Sequence, residues 1–285
     1  MLRKLGKNLL VQTLWTVMGR KNLVRLGRFL SNQARLDILN DPASNGELLI
    51  QKELWKHHTT TEGLCVFDVG ANIGEWSQAF LEQAPEEATS VQVHAFEPFP
   101  ATHETLQGNL SRWNIADRVQ SHNLALSSST GTHTFYAVGD NIGVNSLHPH
   151  ESSITSEASH ETTVQTETLD DFCQRNNIQH IHFLKVDTEG HDYDVLTGAK
   201  HMLAQGAIDI LQFEYNARWI IAEHFLRNVF QLLEPFGYRL GKVTPKGVEF
   251  YDTWHYELET FVEANILAMK PEMCEVFSQI PWWNQ

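Results

Sequence analysis

The sequence predicts an α/β fold with a mostly parallel sheet and helices on both faces. From residue 64 onward, short apolar runs of strand length alternate with stretches whose apolar residues recur at helical spacing. Two strand–helix–strand units in a row imply right-handed crossovers and therefore parallel neighbouring strands. The chain has 285 residues, of which 42% are hydrophobic and 20% charged, so it has the composition of a globular domain rather than of a disordered protein.

Strands are predicted where β-branched and aromatic residues form short apolar runs bounded by glycine, proline or polar residues. These runs are residues 63–70, 91–98, 118–126, 181–187, 208–214, 238–243 and 264–270. Helices are predicted between them, because apolar residues there recur every three to four positions. They cover residues 76–85, 101–113, 193–204 and 222–234.

The section from about residue 127 to residue 168 interrupts this alternation, since it is rich in Ser, Thr, Gly and His. Only residues 132–138 and 162–166 have strand character, so we predict a hairpin with a mobile loop over about 141–160. Thr168 is predicted to cap a short helix that begins at Leu169.

Charge is distributed unevenly along the chain. Residues 1–36 contain eight Lys and Arg and no acid, so the formal charge of −14 for the whole chain leaves −22 on the rest. An acidic body repels phosphate backbones, which argues against nucleic acid as a partner.

The basic N-terminal segment is predicted to be helical, because its apolar residues roughly follow helical spacing. Two alternatives remain open for it. It could contact anionic lipid as an interfacial helix, or it could pack its apolar side on its own domain.

The three cysteines, Cys65, Cys173 and Cys274, are widely spaced and form no C-x-x-C pair. This spacing argues against a disulfide scaffold or a zinc knuckle. The N-terminal segment lacks the small-residue cleavage site of a signal peptide, and its apolar stretch is shorter than a membrane-spanning helix requires. We therefore expect a cytoplasmic protein.

A glycine turn and an acid follow two successive strands. The first strand ends in Asp68-Val-Gly70-Ala-Asn72-Ile-Gly74, and the second ends at Glu97 before Pro98. In a doubly wound sheet, ligands bind outside the carboxyl ends of the strands, and an acid after the second strand can bind both ribose hydroxyls. The G-x-x-x-G spacing after an acid favours a nucleoside with an amino-acid tail over a dinucleotide.

These residues, with several later motifs, carry a family resemblance. Residues 64–235 resemble the FkbM family of S-adenosylmethionine-dependent O-methyltransferases. The matching motifs are Asp68 to Gly74, His94-Ala-Phe-Glu97-Pro98, Asn123-Leu-Ala125-Leu, Thr168-Leu-Asp170-Asp-Phe, Leu184-Lys185-Val-Asp187-Thr-Glu189-Gly190 and Leu196-Thr-Gly198-Ala.

The resemblance implies a class I methyltransferase, Rossmann-like sheet of seven strands with the last strand antiparallel. The methyltransferase domain would cover residues 61–285, after an N-terminal helical extension over 1–60. S-adenosylmethionine would be the cofactor, with Glu97 at its ribose and Asn123 to Ala125 near adenine. The residues expected to bind it are Asp68, Gly70, Ala71, Asn72, Gly74, Glu97, Pro98, Asn123, Ala125 and Asp187.

Methyl transfer from a sulfonium is an in-line displacement that depends mostly on positioning, and a base that takes the proton of an alcohol would assist it. The candidate catalytic residues are Asp187, Glu214 and His191, with Asp187 near the sulfonium and Glu214 or His191 as the base. Lys185 is expected to pair with a neighbouring acid. The acceptor would be a hydroxyl of a sugar, glycolipid or natural-product ring, and its candidate contacts are Asn145, Ser146, Glu189, Asn216 and Trp254.

No metal is expected, because the His-x-His pairs lack carboxylate partners at metal spacing. Two other functions stay open. A nicotinamide-dependent oxidoreductase would use a similar sheet, but its third turn glycine is missing. A nucleoside-binding module without catalytic activity would retain the same acids, so only turnover distinguishes it.

Overall fold

The computed structural model describes residues 2–37, 44–57, 63–86, 88, 90–139, 143, 145–151 and 159–284. The helices are α1 (Leu2–Arg35), α2 (Glu47–His57), α3 (Glu75–Glu82), α4 (Pro100–Arg112), α5 (Leu169–Asn176), α6 (Asp192–Thr197), α7 (Lys200–Ala204), α8 (Leu226–Leu233) and α9 (Pro271–Cys274). The strands are β1 (Leu64–Val69), β2 (Val91–Phe96), β3 (Val119–His122), β4 (Ala125–Leu126), β5 (Gly131–Ala137), β6 (His160–Glu167), β7 (Ile181–Val186), β8 (Ile208–Tyr215), β9 (Arg239–Thr244), β10 (Gly247–Tyr251), β11 (Ala264–Met269) and β12 (Gln279–Ile280).

The central sheet has the strand order β12-β10-β9-β11-β8-β7-β1-β2-β3. Strands β3, β2, β1, β7 and β8 are parallel, and β11 is antiparallel to both β8 and β9. The structure therefore confirms the class I α/β fold and the antiparallel strand β11. Because the strand order reverses between β1 and β7, the carboxyl ends of these two strands form a crevice at the topological switch point.

The prediction of seven strands is wrong, because β10 and β12 extend the sheet at one edge. Strand β10 lies in a segment that the sequence indicated as a connection. It turns back from β9 through Pro245 and Lys246, and Gly247 pairs with Thr244. Its side chains Val248, Phe250 and Tyr251 belong to the core clusters, but Gly247 and Glu249 interrupt the apolar run, so the sequence pattern did not reveal the strand.

Other elements differ from the prediction at their ends. The run 118–126 divides between β3 of the central sheet and β4 of a small sheet with the order β4-β6-β5. The helix predicted over 193–204 is two helices, α6 and α7, separated at Gly198 and Ala199. The β5–β6 hairpin is confirmed, whereas residues 140–142, 144 and 152–158 of the predicted loop lie outside the described residues.

Thr168 caps helix α5 as predicted. Its side-chain oxygen accepts a hydrogen bond from the backbone N–H of Asp171 at 3.0 Å. This bond satisfies one of the N–H groups that have no partner inside the helix.

Apolar side chains pack on both faces of the central sheet. Neighbouring residues on one strand point to opposite faces, so Val66 belongs to one cluster and Phe67 to the other. Helix α2 packs into the Val66 cluster through Ile50, Leu54 and Trp55. The proposed domain boundary between residues 60 and 61 lies outside the described residues, and the division stays a prediction.

Gly70 allows the ends of β1 and β7 to approach each other closely. Its φ is +80°, and a Cβ at this position would overlap the backbone carbonyl of Asp187. Since both the backbone conformation and the space exclude a side chain, the turn after β1 depends on glycine.

We predict that Gly70→Ala destabilises the fold by at least about 1–3 kcal/mol, because alanine is strained at this φ and also meets the Asp187 carbonyl. Gly108→Ala is the matched control, since Gly108 lies on the exposed side of α4 with no atom near an added Cβ. That control should gain about 0.4–1 kcal/mol. Urea unfolding measures both, and equal stability of the two variants would contradict the assignment.

Candidate functional site

Two cavities meet at the carboxyl ends of β1, β2, β7 and β8. The first cavity is lined by residues that include Gly70, Asn72, Glu97, Pro98, Ala125, Asn145, Asp187, Glu189 and His191. The second cavity measures about 500 Å³ and is lined by residues that include Glu47, Gln51, Gly70, Ala71, Asn72, Trp76, Lys185, Asp187, Glu214 and Asn265. Gly70, Asn72 and Asp187 line both cavities, so a single ligand could extend from one to the other.

The glycine turn is held to β2 by its backbone. The N–H groups of Gly70 and Ala71 both donate to the carbonyl of Phe96, at 3.0 and 2.9 Å. Gly74 lies away from the cavities. Its φ is +93°, and a Cβ there would come within 2.6 Å of Leu106 Cδ1, so Gly74 allows α3 to pack against α4.

Glu97 is 7% exposed and connects the two strand ends. Its Oε1 accepts from the N–H of Phe99 at 2.9 Å, and its Oε2 accepts from the N–H of Asn72 at 3.1 Å. Burial raises the pKa of Glu97 to about 7, although these two hydrogen bonds favour the ionised form. Each carboxylate oxygen keeps a second lone pair for a ligand in the first cavity.

Asn123 is the one predicted adenine contact that does not line the first cavity, whereas Ala125 lines it. The Asn123 amide donates to the carbonyls of Glu97 and Pro98, at 3.0 and 2.9 Å. Asn123 therefore stabilises the backbone of the turn at Glu97 and Pro98 and does not contact the cavity.

Asp68 is fully buried and lines neither cavity, which differs from its predicted contact with the cofactor. Ser77 Oγ donates to Asp68 at 2.7 Å, and the ammonium of Lys185 lies 3.2 Å from Asp68 and 3.4 Å from Asp187. Burial alone would lower the pKa of Lys185, but the carboxylates of Asp68, Asp187 and Glu47 raise it, so the ammonium stays charged. The expected pairing of Lys185 with a neighbouring acid is confirmed.

Glu47 at the start of α2 was not found from the sequence. It is 5% exposed, and its Oε1 accepts from Trp76 Nε1 at 2.9 Å and from Gln212 Nε2 at 2.8 Å. Burial raises the pKa of Glu47, while Lys185 lowers it. No sequence motif indicates a role for Glu47, because only the packing of α2 on the sheet brings it close to the strand ends.

Gln51, one helical turn further along α2, was missed for the same reason. Its Oε1 accepts a hydrogen bond from Gln83 Nε2. The same Gln83 atom donates to the carbonyl of Ala79, which shows that it is the nitrogen of the Gln83 amide. The Nε2 of Gln51 is buried and has no hydrogen-bond partner. Gln51 lines the second cavity, but its Nε2 atom is shielded from it by neighbouring atoms.

Asp187 and Glu189 after β7, with Glu214 near the end of β8, form an acidic rim around the cavities. Carboxylate oxygens of Asp187, Glu189 and Glu214 lie within 4.8 Å of one another, close enough to share a hard cation. Burial raises the pKa of Glu214 well above its ordinary value, and the charges of Asp187 and Glu189 raise it further. The amide of Asn216 donates to Glu214 at 2.6 Å, and Glu189 pairs with Arg218 at 2.8 Å.

His191 lines the first cavity, but both of its ring nitrogens have protein partners. Nε2 lies 2.9 Å from Ser127 Oγ, and Nδ1 lies 3.2 Å from His148 Nε2 and 3.4 Å from Asp194. Burial lowers the pKa of His191 to about 3, so the ring is neutral. Glu214 lines the second cavity and accepts the Asn216 amide, and its carboxylate is the other candidate base.

The predicted acceptor contacts separate into two groups. Asn145 lines the first cavity, while Ser146 Oγ donates to the carbonyl of Glu189 at 2.9 Å, and Asn216 supports Glu214. Trp254 lies in neither cavity. Its indole donates to Glu259 at 2.8 Å and stacks with Arg227, so the structure does not bring Trp254 to either cavity.

Comparison with known proteins identifies several similar sequences. "Methyltransferase 1" of Beauveria bassiana is 30% identical over 147 residues, which cover 47% of this chain and 57% of that protein. "2-O-methyltransferase NoeI" of Sinorhizobium fredii is 26% identical over 65% of this chain and 76% of that protein. "Hexuronic acid methyltransferase AglP" of Haloferax volcanii is 31% identical over 48% of this chain and 51% of that protein.

Among solved structures, the methyltransferase FkbM of Methylobacillus flagellatus aligns with a TM-score of 0.46 at 16% identity, over 76% of this chain and 47% of that one. The family model described as "Methyltransferase FkbM domain" matches residues 68–240, which contain the glycine turn, Glu97 and the acidic rim. The chain therefore belongs to the FkbM methyltransferase family.

Proposed function

We propose that this protein transfers a methyl group from S-adenosylmethionine to a hydroxyl of a sugar, glycolipid or natural-product ring. The observation that supports it most directly is that Gly70, Asn72 and Asp187 line both cavities. A cofactor that spans the two cavities would place its reacting centre beside Asp187, with the acceptor on the other side.

The residues of the first cavity fit an adenosyl group. Glu97 would bind the ribose hydroxyls, Pro98 and Ala125 would face the base, and the turn at Gly70 and Asn72 would leave room for the amino-acid tail. The cavity measures about 60 Å³ in this structure, and Gly143 and Asn145 are among the residues that line it. When bound, the cofactor would supply an electrophilic methyl group on a positively charged sulfur.

The second cavity fits a hydroxylated acceptor. Its wall offers the carboxylate of Glu47 and the indole of Trp76, and these groups suit the hydroxyls and the ring face of a sugar. The names of two similar proteins, a 2-O-methyltransferase and a hexuronic acid methyltransferase, support an oxygen acceptor and a sugar acid as an acceptor class.

Glu214 is the proposed base, and Asp187 the residue beside the sulfur. As the acceptor oxygen forms its bond to the methyl carbon and the carbon–sulfur bond breaks, the hydroxyl proton would pass to the Glu214 carboxylate. The products are a methyl ether and S-adenosylhomocysteine. The negative rim would also favour the positive sulfur over a neutral product, which assists product release.

A nicotinamide-dependent oxidoreductase is less well supported. Its cofactor would bring a pyrophosphate to the turn at Gly70, beside the acids Asp187, Glu189 and Glu214, and like charges repel. Calorimetric titration with NADH and with S-adenosylmethionine should show binding of the second only. Tight binding of NADH alone would contradict the proposal, and cofactor binding without any turnover would favour a nucleoside-binding module.

A cytoplasmic location is part of the proposal. Cys65, Cys173 and Cys274 are all free thiols, which suits a reducing compartment.

The affinity for S-adenosylhomocysteine should depend on the ionisation of Glu97. The ionised carboxylate would accept hydrogen bonds from both ribose hydroxyls, and the pKa of Glu97 is about 7. S-adenosylhomocysteine should therefore bind about tenfold more tightly at pH 8 than at pH 6. Glu97→Gln should weaken binding and abolish this pH dependence in calorimetry, while Glu104→Gln, on the exposed side of α4, should behave like the wild type. An unchanged dissociation constant in Glu97→Gln would remove the ribose assignment.

Glu214→Gln should lower kcat by about 10²- to 10⁴-fold, because the amide cannot take the hydroxyl proton. S-adenosylhomocysteine should still bind. Since burial and neighbouring acids raise the pKa of Glu214, wild-type kcat should increase with pH as this group ionises, and the variant should lose that dependence.

The assay is mass spectrometry of a panel of monosaccharides and hexuronic acids incubated with methyl-labelled cofactor. Glu234→Gln, an exposed glutamate after α8, is the control. Full activity of Glu214→Gln would exclude Glu214 as the base.

A further inference from the structure

Helix α1 presents large apolar side chains to solvent. These are Leu9 (66% exposed), Val11 (49%), Trp15 (51%), Val17 (79%), Val24 (47%), Phe29 (59%) and Leu30 (56%). Among the described side chains of α1, none is buried in the core clusters. The alternative in which this helix packs its apolar side on its own domain is therefore not what the structure shows.

The second half of α1 has two chemically distinct sides. The helix breaks at Gly19, where φ is +75°, and continues to Arg35. At 100° per residue, Leu23, Leu26, Phe29 and Leu30 occupy a sector of about 120°, and Arg20, Lys21, Arg25 and Arg28 occupy a separate sector of about 140°. Val24, 47% exposed, is the one large apolar side chain of this half that falls within the cationic sector. Apart from Val24, the helix is amphipathic, with a cationic side and an apolar side.

The end of α1 is fixed to the acidic body. Arg35 donates to the carbonyl of Glu257 at 2.6 Å, and Lys242 donates to the carbonyl of Arg35 at 2.6 Å. Lys242 also pairs with Asp37 at 2.7 Å. The helix is thus held at its C-terminal end while its remaining apolar side chains stay uncovered.

We propose that α1 lies on the surface of an anionic lipid bilayer, with its apolar side at the acyl boundary and its basic side among the headgroups. Exposed apolar residues, eight cationic residues and no acid in residues 1–36 are the features of such interfacial helices. Within the described chain, no helix combines the length and apolar character needed to cross a bilayer. The body, with its formal charge of −22, is repelled by the same lipids, so α1 is the contacting element.

The test is sedimentation of the full chain with vesicles of phosphatidylcholine alone or with phosphatidylserine added. The protein should bind the anionic vesicles, bind the neutral ones much less, and dissociate as salt is raised. The double variant Phe29→Glu/Leu30→Glu should lower the bound fraction by about tenfold or more. Ile220→Glu makes the same chemical change at an exposed position of the body and should leave binding unchanged.

A second variant, Arg25→Glu/Arg28→Glu, tests the basic side separately and should abolish the preference for anionic vesicles. Equal binding of the wild type and both α1 variants would overturn the proposal. It would also fail if gel filtration showed a dimer that Phe29→Glu/Leu30→Glu converts to a monomer, because a second copy would then cover the helix. None of these measurements depends on methyl transfer, so the proposed function could fail while this proposal stands.

Discussion

The buried ammonium of Lys185 is the interaction on which the site depends. It lies between Asp68 at the end of β1 and Asp187 just after β7, and Glu47 of α2 adds a third carboxylate to its field. Removal of two charges from water is costly, and their attraction offsets that cost only where the geometry is good and the remaining lone pairs are satisfied. Ser77 meets part of that requirement at Asp68. Without Lys185, these acids would repel one another in a region of low dielectric.

The crevice contains two unlike cavities. On the β2 side, Glu97 is held by backbone N–H groups and faces a mostly apolar pocket. On the β8 side, the lining is richer in carboxylates and amides. Under the proposed function, the charged sulfur would lie at the boundary between them, where the acids attract a positive charge and Glu214 would take the proton of the acceptor.

The second cavity is built partly outside the region that the family model matches. The match covers residues 68–240, whereas Glu47 and Gln51 precede it and Asn265 follows it. Strand β11 brings Asn265 next to Glu214, and α2 brings Glu47 to Lys185 and Trp76. Under the proposed function, residues outside the family match would therefore help to select the acceptor.

Local sequence by itself determined the alternation of strands and helices, the cap at Thr168, the glycine turn and the acids at 97, 187 and 214, because each depends on side chains close together in the chain. Only the tertiary structure decided that Asp68 is occupied by Lys185, that Trp254 lies elsewhere, that Glu47 and Gln51 line the second cavity, and that β10 extends the sheet. These outcomes depend on which distant segments of the chain come into contact, and the periodicity of the sequence does not reveal such contacts. The exposure of α1 belongs with them, since an amphipathic pattern is the same whether the apolar side meets a core or remains uncovered.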